Sequence, residues 1–158
     1  MTETQDTQTR RILHRSTNAV RWEGPADTVT DAIHSAFAAG ADLTGADLTP
    51  IRDDIWAVLS GAPAEVPTLL AKLRAGEVDG SCYSGTCACL VGTLANARGC
   101  DYTALGAVAP NSSRPAERFF ASIDVGDTPE TSQFAKLADE WISDWLTRMQ
   151  AAFGPQER

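Results

Sequence analysis

The chain has 158 residues, of which 43% are hydrophobic, and a formal net charge of −8 at pH 7. This length suits one domain whose core is large enough to fold without disulfides or metal. The negative charge argues against direct binding to a nucleic-acid backbone, which needs clustered Lys and Arg, and no apolar run approaches the length of a membrane span.

The first residues of the chain are polar and rich in Thr and Gln. Residues 1–9 therefore predict a disordered tail, followed by a single globular domain over residues 10–158. The polar start also lacks the apolar core of a signal peptide. We accordingly expect a cytoplasmic protein, in which the four cysteines would be reduced.

A β-hairpin is the first predicted element. Residues 11–15 and 19–22 are β-prone runs, and the Ser-Thr-Asn sequence between them is typical of a turn. A helix follows, because Thr28 and Asp31 have the spacing of a capping box. Its predicted apolar face contains Val29, Ile33 and Phe37.

Residues 41–50 contain the only internal repeat, ADLTG followed by ADLTP. The two units resemble the pentapeptide-repeat pattern, in which Ala and Leu occupy the inward positions and the chain folds as a square β-helix. Two units make only half of one coil, and stacked repeats need several units to bury a core. We therefore predict a remnant that forms a short loop or a single β-bridge, and no continuing β-helix.

Four more helices are predicted before residue 124 from apolar periodicity and from the positions of Pro and Gly. Pro67 is expected in the first turn of the second of them, where a missing N–H group does least harm. Their predicted bounds are Thr49 to Gly61, residues 63–75, Cys87 to Arg98, and a short segment that opens at Pro115.

The last predicted helix is the longest and runs from Thr128, as its N-cap, to about Phe153. Apolar residues recur in it at steps of three and four and should form one wall of the core. If this stripe exceeds what one domain can cover, it becomes the interface of a homodimer. The stripe consists of Phe134, Leu137, Trp141, Trp145 and Met149.

The expected fold class is α+β and mostly helical. It comprises an N-terminal β-hairpin, a short pentapeptide-repeat remnant, and a compact helical domain that ends in a long amphipathic helix.

Three stretches in the C-terminal part of the chain have a distinctive composition: VDGSCYSGTCACLVGTLANARG, PNSSRPAERFF and GDTPETSQFAKLADEWISDWL. Together with the preceding hairpin, helix and repeats, they resemble small proteins carried by bacteriophages and prophages, over roughly residues 11–147. The resemblance implies a phage-encoded accessory protein and no particular chemistry. It does not imply DNA mimicry, which requires a longer β-helical rod than two repeats can build.

The cysteines form the pattern Cys-x4-Cys-x-Cys-x10-Cys. Four thiolates could hold tetrahedral zinc, but this spacing is not that of a zinc ribbon or finger. On one helix, Cys87 and Cys89 would also point about 200° apart. Buried free thiols and a Cys82–Cys87 disulfide are the alternatives. We expect free thiols, no zinc and no other cofactor; the zinc alternative would use Cys82, Cys87, Cys89 and Cys100.

A nucleophilic Cys87 or Cys89 would need a nearby base. The histidines of the chain, His14 and His34, lie far from both in sequence, and no local catalytic signature accompanies them. The sequence therefore favours a non-enzymatic function. A cysteine-dependent enzyme and a zinc-stabilised structural module are the alternatives.

Two polar loops supply the candidate ligand-binding residues. Arg114 could bind a carboxylate or phosphate, helped by backbone N–H groups at the starts of the following helices. Alternatively, Ser113 and Thr128 simply cap helices, and Arg114 pairs with Glu117 or Asp127. The candidates are Asn111, Ser113, Arg114, Glu117, Asp127 and Thr128.

The acidic residues of the helices are spaced as ordinary solvated positions; they include Asp53, Asp54, Asp139, Glu140 and Asp144. The sequence thus predicts a phage-encoded accessory protein that binds a host protein or a small host ligand. Its action would be counter-defence or host modulation, without contact to a nucleic-acid backbone or a membrane.

Overall fold

The architecture is α+β and mostly helical, as predicted, with a two-stranded hairpin followed by six α-helices in the described part of the chain. A computed structural model describes residues 8–41, 43, 46–111 and 113–153. The described residues fall into two compact units, an N-terminal one up to Ile51 and a C-terminal one from Arg52 onward. The predicted tail lies almost wholly outside the described residues, and the single-domain boundary stays a prediction.

The hairpin of the N-terminal unit consists of β1 (Thr9–Leu13) and β2 (Val20–Pro25), which pair antiparallel as predicted. The register shifts between Ile12 and Leu13, so β2 carries one extra residue at this bulge. Asn18 closes the turn with a φ of 57°, a left-handed conformation that Asn tolerates better than most residues. Ile12 is the buried anchor of β1.

The first helix, α1 (Val29–Ala38), begins at the predicted capping box. The Thr28 hydroxyl accepts the Asp31 N–H at 3.1 Å, and the Asp31 carboxylate accepts the Thr28 N–H at 3.2 Å. The helix packs on both strands of the hairpin. Its buried face differs partly from the predicted one and consists of Thr30, Ala32, Ile33 and Ala36.

In its described residues, the repeat region forms one antiparallel bridge, between His14 and Ala46, as predicted. Asp47 N–H donates to the carbonyl of Leu13 at 2.6 Å beside that bridge. The inward leucines of the two repeat units, Leu43 and Leu48, are both buried. No β-helix continues from them in the described residues, because half a coil has no neighbour to stack on; the remaining repeat positions 42, 44 and 45 lie outside the described residues.

Helix α2 spans Thr49–Gly61. Its predicted apolar stripe is confirmed, since Ile51, Ile55, Val58 and Leu59 are all buried. The predicted helix over 63–75 splits into a 3-10 turn, Pro63–Glu65, and α3 (Val66–Arg74). Pro67 lies in the first turn of α3, as its missing N–H requires.

Helix α4 (Leu90–Arg98) begins later than predicted. Ala88 forms a parallel bridge with Val78, and Cys89 is extended at a ψ of −174°. This pairing takes Cys87 and Cys89 out of the helix, so the prediction that α4 starts at Cys87 was wrong. Residues 90–95 are all buried. The helix ends, as predicted, at Gly99, whose φ of 79° is the left-handed conformation that glycine adopts freely.

The last two helices are α5 (Pro115–Phe120) and α6 (Gln133–Phe153). Pro115 opens α5 as predicted, but α6 starts later than Thr128. The segment Thr128–Thr131 folds as a turn closed by the Thr131 N–H and the Thr128 carbonyl at 3.0 Å. The Ser132 hydroxyl then accepts the Ala135 N–H at 3.2 Å and caps the helix.

The buried face of α6 is also rotated from the predicted stripe. Trp141 is only half-buried, whereas Ala135 and Ala138 are fully buried. Helix α6 packs against α3, and small side chains allow helices to approach closely. The buried residues of α6 are Phe134, Ala135, Ala138, Ile142 and Trp145.

An aromatic cluster forms the centre of the C-terminal unit. The Phe119 side chain is fully buried, and its ring centroid lies 5.2 Å from that of Phe134 and 5.1 Å from that of Trp141. The Trp56 indole N–H donates to the Trp141 carbonyl at 2.9 Å and joins α2 to α6. None of the described helices is both long and apolar enough to span a membrane.

Truncating the centre of this cluster should destabilise the protein strongly. We expect Phe119→Ala to lower the free energy of unfolding by about 3–5 kcal/mol, because it leaves a cavity among buried rings. Phe153→Ala is the matched control, since Phe153 is 82% exposed, and it should cost less than about 0.5 kcal/mol. Denaturant unfolding of both variants measures the difference; equal losses would contradict the core assignment.

Candidate functional site

The four cysteines are free thiols in different environments. Cys82 is exposed, Cys87 and Cys100 are half-buried, and Cys89 is buried. Within the described residues, no group of three or more His, Cys, Asp or Glu side chains is arranged to hold a metal ion. The zinc alternative therefore has no ligand cluster in that part of the chain.

Cys89 occupies the N-cap position of α4. Burial raises the pKa of its thiol, although backbone N–H groups of Gly92 and Val91 act in the opposite direction. A thiol with a raised pKa is mostly protonated at neutral pH and is a poor nucleophile. The C-terminal unit, which contains all four cysteines, has no histidine in its sequence. It therefore offers Cys87 and Cys89 no imidazole base of its own.

Arg114 is held by Asp54 of α2. Its guanidinium donates twice to the Asp54 carboxylate, at 3.1 and 2.8 Å. The same carboxylate accepts the Ala116 N–H at 2.8 Å and so caps the first turn of α5. The predicted pairing of Arg114 with Glu117 or Asp127 was wrong, and so was the solvated position predicted for Asp54. Two residues 60 positions apart meet only through packing.

This ion pair changes the protonation equilibria of both partners. The hydrogen bond from Arg114 holds the pKa of Asp54 below its usual value against the opposing effect of burial. The hydrogen bond to Asp54 raises the pKa of Arg114. Both groups therefore stay charged at neutral pH. The guanidinium already donates to Asp54, so it contributes to the fold and has fewer N–H bonds left for a ligand.

Glu117 is the buried carboxylate of the C-terminal unit, at 6% exposure. It accepts the Tyr83 hydroxyl at 2.6 Å and the backbone N–H of Asn111. Burial, with this hydrogen bond, raises the pKa of Tyr83 well above its ordinary value. The Tyr83 ring stacks on Tyr102 with 4.9 Å between centroids. The sequence signal for this network was only the single acidic residue of α5.

The predicted ligand-binding residues belong to two separate sets of local contacts. Asn111, Arg114 and Glu117 surround the start of α5, where the Asn111 side-chain oxygen also accepts the Ser113 N–H at 3.0 Å. Asp127 accepts the Asp124 N–H at 2.9 Å within its own loop. Thr128 N–H donates to the Thr131 hydroxyl at 2.9 Å. Each of these residues thus takes part in a hydrogen bond that holds its own loop or helix start.

A groove of about 550 Å³ lies between α3, α4 and the loop before α4. This volume falls in the range of small-molecule sites. Sequence reasoning missed it, because its walls come from segments that only packing brings together. Its lining residues are Thr68, Lys72, Gly85, Thr86, Thr93, Asn96 and Ala97.

Fixed hydrogen bonds hold the walls of this groove. The Asn96 side-chain amide donates to the Gly85 carbonyl at 2.7 Å and pins the loop to α4. The buried Thr93 hydroxyl donates to the Ala88 carbonyl at 2.9 Å. Gly92 allows α4 to approach the loop, because a Cβ there would lie 2.2 Å from the Tyr83 carbonyl oxygen. The groove is thus a preformed feature of the fold.

Lys72 provides the positive charge in the groove. Its ammonium lies 2.9 Å from the Glu77 carboxylate. The hydrogen bond with Glu77 raises the pKa of Lys72, so the ammonium remains protonated at neutral pH. One carboxylate occupies only part of the donor capacity of an ammonium group, which has three N–H bonds.

Comparison with known proteins identifies no relative of the chain. No protein-family model, curated protein or solved structure matches the chain.

Removing the Asp54 charge should destabilise the protein in a pH-dependent way. We expect Asp54→Asn to cost about 1–2 kcal/mol at pH 7, because it weakens the paired hydrogen bonds with Arg114. A lowered carboxyl pKa stabilises the folded state above the unfolded-state value of about 3.9. That contribution is lost as the pH falls through the lower folded-state value. The gap between the two proteins should therefore narrow below about pH 4.

Asp53→Asn is the control for this measurement, because Asp53 is exposed and, within the described residues, forms an ion pair with Arg52 alone. It should cost less than about 0.5 kcal/mol at any of these pH values. Urea unfolding at pH 7 and pH 3 tests both variants. A gap for Asp54→Asn that stays constant on acidification would contradict the role assigned to the carboxylate.

The two tyrosines of the chain offer a second matched pair of variants. Tyr83→Phe removes the hydroxyl that donates to buried Glu117, and we expect a loss of about 1–3 kcal/mol in unfolding free energy. Tyr102→Phe should change it by less than about 0.5 kcal/mol, because no hydrogen bond of the Tyr102 hydroxyl is found among the described residues. Thermal unfolding compares them, and a larger effect at Tyr102 would refute the assignment.

Proposed function

We propose that the chain is a phage-encoded accessory protein that acts without catalysis, by binding a small host ligand or a host factor. In this role it would act in the cytoplasm of the host cell, in counter-defence or host modulation. The resemblance to small phage and prophage proteins supports the phage origin. The single structural observation that supports binding is the preformed groove between α3 and α4.

The chemistry of the groove favours binding over catalysis. Hydroxyl, amide and ammonium groups line it, and such groups orient a ligand by hydrogen bonds. A nucleophilic reaction would need an activated group with a base beside it. Cys89 has a raised thiol pKa, and the C-terminal unit has no histidine. These observations favour the binding proposal over a cysteine-dependent enzyme.

A small groove suits a small ligand better than a protein partner. A stable protein interface buries about 800 Å² on each partner and is centred on aromatic or Arg anchors. The groove has a volume of about 550 Å³, and the described residues that line it include neither an aromatic residue nor an arginine. Between the two partner classes in the proposal, we therefore favour the small host ligand.

The proposal predicts that the purified protein retains a small molecule from a bacterial extract. The protein is incubated with the low-molecular-mass fraction of a lysate, desalted, and analysed by native mass spectrometry. We expect an added mass that Ala97→Phe abolishes, because a phenyl ring at Ala97 fills the groove. Ala151→Phe, at an exposed position of α6, should retain the added mass and controls for the helix penalty of Phe.

Two outcomes would count against the binding proposal. One is that no mass is retained from the extract at any protein concentration tested. The other is that a retained mass persists in Ala97→Phe, which would place the ligand outside the groove. A cysteine-dependent enzyme would instead be favoured if Cys87 were alkylated rapidly near neutral pH and if that alkylation abolished an enzymatic activity of the purified protein.

A further inference from the structure

The groove between α3 and α4 has a donor and acceptor pattern that restricts the class of ligand, provided that the proposed binding function holds. We propose that it takes a small hydroxylated aliphatic anion, a sugar phosphate or a sugar acid. The anionic group would bind Lys72, and the hydroxyl groups would bind the threonine and asparagine side chains. The proposal rests on the hydrogen-bonding states of Lys72, Asn96 and the threonines that line the groove.

The cationic end of the groove calls for an anion. Lys72 is one of two lysines in the chain, and the other, Lys136, is exposed on α6. The Lys72 side chain remains 38% exposed while its ammonium contacts Glu77, and one carboxylate does not use all three N–H bonds of an ammonium group. An anionic ligand group can bind beside Glu77 or replace it. Charge-assisted hydrogen bonds of this kind are stronger than those between neutral groups.

The rest of the groove calls for groups that both donate and accept. One of the two N–H bonds of the Asn96 amide donates to the Gly85 carbonyl, which leaves the second N–H as a donor and the side-chain carbonyl oxygen as an acceptor. The hydroxyls of Thr68 and Thr86 are exposed and have no partner within the described residues. A hydroxyl group of the ligand can donate to the Asn96 carbonyl oxygen and accept from a threonine hydroxyl at the same time, because it is both donor and acceptor.

The lining residues also disfavour a nucleobase. Bases bind proteins chiefly by stacking on aromatic or Arg side chains. Among the described residues that line the groove, none is aromatic and none is an arginine. The net charge of −8 would repel a polyanion, but it has little effect on a small anion within a Debye length of Lys72. A compact sugar-like anion fits these constraints better than a nucleotide or a nucleic acid.

The test is a titration of the ¹⁵N-labelled full chain followed by amide chemical shifts. The probes are ribose 5-phosphate, ribonate, neutral ribose, inorganic phosphate and AMP. We expect ribose 5-phosphate or ribonate to shift the amide signals of the groove residues, with a dissociation constant at least about tenfold lower than that of ribose or phosphate. Whichever of the two binds more tightly identifies phosphate or carboxylate as the anionic group.

Three variants give the assay its controls. Lys72→Met should weaken binding of the preferred probe by at least about tenfold. Lys136→Met removes the same charge elsewhere and should leave it unchanged. Glu77→Gln should tighten binding severalfold, because it removes the competing carboxylate from Lys72. A merely structural role of Lys72 would not produce opposite effects at residues 72 and 77.

Several results would overturn the proposed ligand class. If ribose binds as tightly as ribose 5-phosphate, the anionic group does not contribute to binding. If inorganic phosphate binds as tightly as ribose 5-phosphate, the hydroxyl groups do not contribute. AMP binding most tightly would point to base recognition, and no groove shift with any probe would reject the class. If the extract assay still yields a mass that Ala97→Phe abolishes, the binding function survives. If both assays fail, the groove is not a ligand site.

Discussion

A buried carboxylate organises the part of the protein that contains the groove. Glu117 of α5 is 6% exposed, and burial of a charge is costly unless hydrogen bonds compensate. Its partners are the Tyr83 hydroxyl and the Asn111 N–H. Tyr83 belongs to the loop that also supplies Gly85 and Thr86 to the groove. The need to satisfy one carboxylate thus positions a groove wall that makes no direct contact with it.

A second carboxylate holds the other side of α5. Asp54 binds the Arg114 guanidinium and the Ala116 N–H, so α2 caps a helix distant in sequence. Helix α5 has only six residues, and so short a helix is not stable by itself. It depends on Asp54 at its start and on the burial of Phe119 and Phe120. Charged contacts and aromatic packing together fix the residue that anchors the groove loop.

The acidic character of the chain and a lysine in the groove are compatible, because screening limits the range of surface charge. At physiological ionic strength, charges more than about 8 Å apart interact weakly across solvent. Distant acidic residues therefore act weakly on Lys72, whose ammonium is paired with the neighbouring carboxylate of Glu77. Three arginines of the C-terminal unit are engaged in the fold: Arg74, Arg98 and Arg114 pair with Asp139, Glu65 and Asp54.

Local chemistry in the sequence determined the hairpin, the Thr28–Asp31 capping box, the buried stripe of α2 and the glycine stop of α4. Each of these depends on residues that lie close together in the sequence. Packing between distant segments decided the rest. Ala88 pairs with Val78 and delays α4, and Arg114 binds Asp54, 60 positions away. The groove also depends on such packing, because its walls come from α3, α4 and the loop before α4, and contacts between separate segments leave no local signal in the sequence.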